Sequence, residues 1–126
     1  MSWLATTALV GLGGALGANA RYWLGRWVKD LTGPTDFPWG TLLINVSGSL
    51  VLGLIAGAVK DRSAAMFLFW GTGFCGGYTT FSAFSLEVAE AVQAGRWGLA
   101  AMYVGASVVG GLLGFAVAVW AAGPAE

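Results

Sequence analysis

Two aromatic rings and three hydroxyls lie close together in one stretch of the chain, and together they could bind an anion. Phe81 and Phe84 are spaced i and i+3, which places both rings on one face of a helix. Ser82 and Ser85 repeat this spacing on a neighbouring strip, and Thr80 precedes them. An aromatic ring has a positive edge, so two edges turned into a pore could stabilise an anion without a buried cation. The alternative interpretation is ordinary packing of the rings against lipid or protein.

Polar residues in the other apolar stretches could extend such a site. Asn45 and Thr41 lie in the second stretch, where an amide must find partners and can donate two hydrogen bonds to an anion. Interhelical bonding is the other role of an amide in this position. Tyr103 and Ser107, spaced i and i+4, could continue a track of hydroxyls along one helix face. Arg21 ends the first stretch, where it could reach the membrane interface or draw anions into a vestibule.

A break is predicted in the element that carries the phenylalanines, near residues 76–80. Glycine costs about 1 kcal/mol in a helix relative to alanine, and β-branched threonines follow the glycines. Irregular backbone at bilayer depth needs protein or a polar cavity to satisfy its freed groups, and freed carbonyls suit a cation such as sodium. A continuous, glycine-rich helix is the alternative. The residues concerned are Gly71, Gly73, Gly76, Gly77, Thr79 and Thr80.

The elements that must position these residues are predicted to be transmembrane helices. Of 126 residues, 57% are hydrophobic and 10% are charged, and the charges leave four uncharged runs. Because about 20 apolar residues in a helix cross a bilayer core, each run is long enough. The prediction is an all-α membrane protein, one domain over 1–126, with four spans. They cover about 3–24, 39–59, 64–89 (broken near 76–80) and 97–121, judged from the runs of uncharged residues.

Composition argues against several classes of function. Six basic and six acidic residues give zero net charge and no basic patch, so nucleic acid is not an expected partner. The chain has no histidine, and Asp30, Asp36 and Asp61 fall in predicted loops, which disfavours a membrane enzyme. The lone Cys75 excludes an intrachain disulfide. A cleaved signal peptide is disfavoured, because no basic residue precedes the first apolar run.

The predicted loops, 26–38, 60–62 and 90–96, carry nearly balanced positive charge on the two sides of the membrane. Insertion in both orientations fits this balance, as does a single orientation with a weak signal. Glu87 and Glu90 close the third span and have no predicted role. Four glycine pairs have the spacing that lets helix backbones approach closely, but the spacing does not identify their partners. The pairs are Gly13 and Gly17, Gly53 and Gly57, Gly73 and Gly77, and Gly110 and Gly114.

Three sequence blocks resemble the signatures of the Fluc family of fluoride channels, also called CrcB. The blocks are GGALGANARY from Gly13, PWGTLLINVSGS from Pro38 and GTGFCGGYTTFSAFSLE from Gly71, and the third is the most specific. The resemblance implies an antiparallel homodimer, whose two subunits have opposite orientations (dual topology). It would lie in the lipid of the inner (plasma) membrane. The resemblance also implies passive export of fluoride through two pores at the dimer interface, and a central structural sodium held by backbone carbonyls of Gly76 and Thr79.

The resemblance also assigns the side chains of the pathway. It implies that Arg21 lies in the vestibule, and that the track is thinner here because Ala83 and Gly111 replace hydroxyl residues that the family can carry. The predicted pore residues are Thr41, Asn45, Thr80, Phe81, Ser82, Phe84, Ser85, Tyr103 and Ser107.

The main alternative is a small multidrug exporter, which also has four spans and can also insert in both orientations. Such proton-coupled carriers resemble this chain in size but need a carboxylate in the first span, and the first span here has none. A purely structural assembly subunit is a second alternative, and the polar string in the third span argues against it.

Overall fold

The described part of the chain, residues 1–123 of a computed structural model, is helical throughout and contains no β-strand. This confirms the all-α prediction; residues 124–126 of the predicted domain lie outside the described part. In chain order the elements are α1 (Trp3–Thr32), α2 (Trp39–Ala58), a π-helix (Phe67–Cys75), α3 (Gly76–Tyr78), α4 (Phe81–Gln93) and α5 (Trp97–Ala122).

Helix α1 continues eight residues beyond the predicted end of the first span at residue 24. The predicted loop 26–38 therefore begins too early, because residues 26–32 are helical. Charged side chains do not end a helix that has left the apolar layer. The helix ends instead at Gly33, whose φ of 66° only glycine adopts readily, and its N–H bonds to the carbonyl oxygen of Lys29. Pro34 follows and cannot continue the helix.

Within residues 1–123, two helices, α2 and α5, are long and apolar enough to cross a membrane on length and composition alone. Helix α1 is long enough, but its glycines and Asn19 lower its hydropathy. The third predicted span is divided between the π-helix, α3 and α4, so no single piece of it has the length of a bilayer. Its role as a span therefore depends on packing of these pieces against α1 and α2.

Two of the glycine pairs bring α1 and the third span into backbone contact. A Cβ atom added to Gly13 would collide with the carbonyl oxygen of Phe69, and one added to Gly17 with that of Phe74. On the opposite side, Gly77 lies directly against the backbone of Gly14. The helices can approach this closely only because these positions have no side chain.

The other two pairs join α2 to α5, the most extensive helix contact in the structure. A Cβ on Gly53 would lie 2.6 Å from the carbonyl oxygen of Phe115, and one on Gly57 2.7 Å from that of Val119. Gly110 and Gly114 face Val46 and Leu50 of α2. The partners that the sequence left open therefore lie within the same subunit.

The short connection between α2 and the third span is fixed by its own charged side chains. Arg62 donates to the carbonyl oxygens of Ala56 and Val59 and so caps the end of α2. The carboxylate of Asp61 accepts from the N–H and the hydroxyl of Ser63, and these bonds lower the pKa of Asp61. The turn is ordered by these bonds.

The first part of the third span is a π-helix, which the sequence analysis missed. π-Helices are rare, and those that occur are frequently found at functional sites. Its rings form a continuous series with the ring of Tyr78: the centroids of Trp70 and Phe74 are 5.6 Å apart, and those of Phe74 and Tyr78 are 5.6 Å apart in a stacked arrangement. The hydroxyl groups of Tyr78 and Ser47 lie 2.9 Å apart, which ties the series to α2.

Candidate functional site

The third span is interrupted at Thr79 and Thr80. Both residues have extended backbone, with φ and ψ of −81° and 154° at Thr79 and −147° and 111° at Thr80. Helix α4 then begins at Phe81, and the Thr80 hydroxyl caps it by accepting from the N–H of Ala83 at 3.1 Å. The break lies within the predicted range 76–80, so the prediction of a broken third helix is confirmed.

Asn45 of α2 bonds to both backbone groups of Thr80. Its Oδ1 accepts from the N–H of Thr80 at 2.8 Å, and its Nδ2 donates to the carbonyl oxygen of Thr80 at 3.0 Å. These are the groups that the break removes from helical bonding. The expectation that Asn45 offers two donors to an anion is therefore wrong, because one of its two amide hydrogens is used on Thr80.

Replacing Asn45 with alanine is expected to lower the free energy of unfolding by about 2 kcal/mol, because both backbone groups of Thr80 lose their partner. The matched control is Asn19→Ala, since the Asn19 amide donates only to Ala15 of its own helix. Thermal unfolding in detergent would measure both variants. Equal midpoints for the two would show that Asn45 does not hold the break.

Arg21 holds the other side of the break. Its Nε donates to the carbonyl oxygen of Gly77 at 3.1 Å, although the two residues are 56 positions apart. Among residues 1–123, no hydrogen bond reaches the backbone oxygens of Gly76 or Thr79. Of the backbone oxygens in residues 76–80, protein donors satisfy those of Gly77 and Thr80, whereas those of Gly76, Tyr78 and Thr79 receive no hydrogen bond within the described residues.

The rings of Phe81 and Phe84 lie side by side with centroids 5.6 Å apart, as their spacing predicts. Phe81 is 79% exposed, which is unusual for a large ring that follows a break in a span. Ser82 and Ser85 are exposed as well. Their hydroxyls have partners: that of Ser82 lies 3.1 Å from the Thr80 hydroxyl, and that of Ser85 donates to the carbonyl oxygen of Phe81.

A groove of about 490 Å³ runs along the exposed side of the break. The hydroxyl of Ser107 is buried there and has no hydrogen-bond partner within the described chain. A buried donor without a partner is costly, so its presence points to a ligand. Besides Ser107, the predicted site residues that line the groove are Asn45, Gly76, Thr79, Thr80, Phe81 and Phe84.

The hydroxyls of Thr41 and Tyr103 both donate to Glu87, a residue that had no predicted role. Thr41 donates to Oε1 at 2.7 Å and Tyr103 to Oε2 at 2.6 Å. Glu87 comes from α4, Thr41 from α2 and Tyr103 from α5, so no local spacing could have revealed the cluster. The Tyr103 ring also lies 5.1 Å from that of Phe84, which joins the cluster to the phenylalanine pair.

A second, larger cavity of about 1100 Å³ lies on the other side of the break and forms a vestibule. Arg21, Thr41, Thr80, Glu87 and Ala83 are among its lining residues. Thr80 lines the vestibule and the groove, so the two cavities meet at the break. The structure thus brings the predicted residues to the two sides of one interruption, except Ser82, Ser85 and Tyr103, which line neither cavity.

One of the two departures from the resembling family lies next to a hydroxyl from another helix. A Cβ on Gly111 would be 3.5 Å from the Ser49 hydroxyl, which lines the groove and donates to the carbonyl oxygen of Asn45. At the other departure, Ala83, the backbone N–H donates to the Thr80 hydroxyl at 3.1 Å.

Comparison with known proteins identifies the family of the chain. A sequence profile described as "CrcB-like protein, Camphor Resistance (CrcB)" matches residues 8–120. The chain belongs to the CrcB family. A CrcB relative from Novosphingobium aromaticivorans is 48% identical over 114 residues, which cover 88% of this chain and 90% of the relative. One from Hyphomonas neptunium is 45% identical over 119 residues, covering 90% and 92%. Both relatives are named "Fluoride-specific ion channel FluC".

Proposed function

We propose that this chain forms a fluoride-selective channel that passively releases fluoride from the cytoplasm across the inner membrane. The observation that carries the proposal is the pair of rings of Phe81 and Phe84, of which Phe81 is exposed, together with the unpartnered Ser107 hydroxyl in the same groove beside the helix break. Relatives 45–48% identical over most of their length are named fluoride-specific channels, which supports the same function. Since the family is one of ion channels, the chain is not an enzyme.

The proposed path leads from the vestibule to the groove. Fluoride enters near Arg21, meets the hydroxyls of Thr41 and Tyr103, and passes the break to the ring edges of Phe81 and Phe84. Because fluoride is small and strongly hydrated, closely placed donors must replace its water. Glu87 competes with the ion for the two hydroxyls, which keeps that site weak and lets the ion move on.

Beyond Phe84 the proposed donors are the second amide hydrogen of Asn45, the Ser107 hydroxyl, and whichever of the Thr80 and Ser82 hydroxyls does not donate to the other. The Ser85 hydroxyl donates to the carbonyl oxygen of Phe81 and would have to turn away from it to bind the ion. The Ser107 hydroxyl has no competing partner among the described residues. The Ser49 hydroxyl adds a polar group to the groove opposite Gly111. Several weak donors in series suit conduction better than one tight site.

Two copies in opposite orientation would complete the pore. Phe81, Ser82 and Ser85 are exposed in one copy and so have no cover within residues 1–123. A second copy of this chain is the proposed cover for this surface. The nearly balanced charge of the loops supports insertion in both orientations.

A structural sodium ion is proposed at the break, held by the backbone oxygens of Gly76 and Thr79 from the subunits. These oxygens fit the role, because they receive no hydrogen bond within residues 1–123 and carbonyl oxygens are hard ligands. Sodium there would compensate the dipoles of the freed carbonyls. No cluster of three acidic, cysteine or histidine residues occurs in the same described range, so side-chain ligands are not part of the proposal.

A proton-coupled exporter is the second candidate, because Glu87 is a carboxylate inside a predicted span with two hydroxyl donors. Such a carrier would move substrate in response to a pH gradient. A carrier of this kind would not need the pair of rings of Phe81 and Phe84, or the helix break. The pair and the break therefore favour the channel.

Fluoride efflux from proteoliposomes tests the proposal. Vesicles loaded with fluoride and containing the purified chain are expected to release it rapidly when a potassium ionophore balances the charge, and a fluoride electrode records the release. Vesicles loaded with chloride are the control and are expected to retain it. Fluoride release no faster than from protein-free vesicles, or equal release of chloride, would contradict the proposal.

A further inference from the structure

The row of rings that begins at Phe81 and Phe84 does not end at Tyr103. The ring of Phe37, from the connection between α1 and α2, lies 5.6 Å from the ring of Tyr103 at an interplanar angle of 73°. Phe37 in turn lies 4.5 Å from Trp39. The contact between Phe37 and Tyr103 is edge-to-face, a preferred geometry of aromatic pairs. Phe37 therefore continues the aromatic row out of the predicted spans.

The segment 33–38, here called the strap, holds Phe37 in place. The N–H of Phe37 donates to the Thr35 hydroxyl at 3.3 Å, and its carbonyl oxygen accepts from the N–H of Trp39 at 2.9 Å. Asp36 forms an ion pair with Arg96 at 3.1 Å, which ties the strap to the start of α5. An exposed ion pair of this kind contributes at most about 1 kcal/mol to stability, but it holds the strap against the start of α5. These contacts hold the backbone of the strap in place, and with it the position of Phe37.

Phe37 lies between the vestibule and Tyr103. Tyr103 is completely buried, and it lines neither the vestibule nor the groove. Phe37 does line the vestibule, as do Thr41 and Glu87. The Tyr103 ring is therefore flanked by Phe37 and by Phe84. Its hydroxyl is directed to Glu87 from between these two rings.

We propose that Phe37 is a positioning residue of the conduction path, which keeps the Tyr103 hydroxyl on Glu87 by packing against the Tyr103 ring. The proposal rests on the proposed function, because it concerns the rate at which fluoride passes the cluster of Thr41, Glu87 and Tyr103. Loss of the Phe37 ring would free one side of Tyr103 and open a space into which the ring can turn. The hydroxyl would then leave its place in the path.

A double-mutant cycle tests this role. Phe37→Ala is expected to reduce fluoride efflux about fivefold, the size expected for loss of one aromatic pair. Phe37→Tyr, which keeps the ring, is expected to retain wild-type efflux. In a Tyr103→Phe background, Phe37→Ala is expected to change efflux less than twofold, because the hydroxyl on which Phe37 acts is already gone. Trp97→Ala is the matched control, since Trp97 is an exposed aromatic residue outside the row.

Two results would overturn the proposal: wild-type efflux in Phe37→Ala, or the same fivefold loss with and without the Tyr103 hydroxyl. If Phe37→Ala is not recovered as a folded protein, Phe37→Leu takes its place in the cycle with the same expectations. Failure of the unmodified chain to pass fluoride would instead contradict the proposed function, so the two failures are distinguishable.

Discussion

Fluoride efflux is expected to fall about a hundredfold when either Phe81 or Phe84 is replaced with isoleucine, a loss like that of one donor to an anion in a water-excluded site. Isoleucine keeps much of the apolar volume but has no ring edge. Because Phe81 is 79% exposed and isoleucine keeps much of the volume of the half-buried Phe84, neither substitution creates a large internal cavity. The loss should therefore appear in transport rather than in folding.

The proteoliposome assay measures this effect, with size-exclusion chromatography to confirm that each variant is folded. Phe69→Ile is the matched control, because Phe69 lies in the same predicted span, contacts Trp70 and lines neither cavity. It should conduct like the unmodified chain. Unchanged efflux in both Phe81→Ile and Phe84→Ile would rule out the phenylalanine mechanism.

Replacing Gly17 with alanine is expected to cost roughly 3 kcal/mol of folding free energy, at the upper end of the usual cost of overpacking. The added Cβ would collide with the carbonyl oxygen of Phe74 and lie 2.9 Å from the N atom of Tyr78. Both are backbone atoms and cannot rotate away. Helix α1 would have to move away from the third span, and Arg21 would move with it.

The matched control for Gly17→Ala is Gly11→Ala in the same helix, where a Cβ meets nothing within 4 Å. Both substitutions gain the same helix propensity, so the difference between them isolates the collision. The yield of monodisperse protein and the thermal midpoint in detergent would measure that difference. Equal values for the two variants would contradict the close packing of α1 on the third span.

The sequence was sufficient to predict the break, because its signal is local. Gly76, Gly77 and the two threonines that follow are poor helix formers in consecutive positions. The helical spacing of Phe81 and Phe84 was likewise sufficient to place their rings together. Both features depend on residues within one or two turns of each other.

The contacts of Glu87 could not be predicted, because they join residues 46 and 16 positions apart on three helices. The partners of the glycine pairs were hidden for the same reason. The sequence left two roles open for Asn45, because an amide can serve a ligand or a backbone, and only the position of Thr80 shows the interhelical bonds. The end of α1 was misplaced because charge was taken as the end of the helix, whereas Gly33 and Pro34 determine it.

The reversal potential of the chain in a planar bilayer tests passive, selective fluoride conduction most directly. With fluoride at different concentrations on the two sides, the current is expected to reverse at the equilibrium potential of fluoride. Replacing the background anion with chloride, or imposing a pH gradient, should not change that reversal potential. A reversal potential that follows chloride, or one that follows the pH gradient as a proton-coupled exporter through Glu87 requires, would contradict the account.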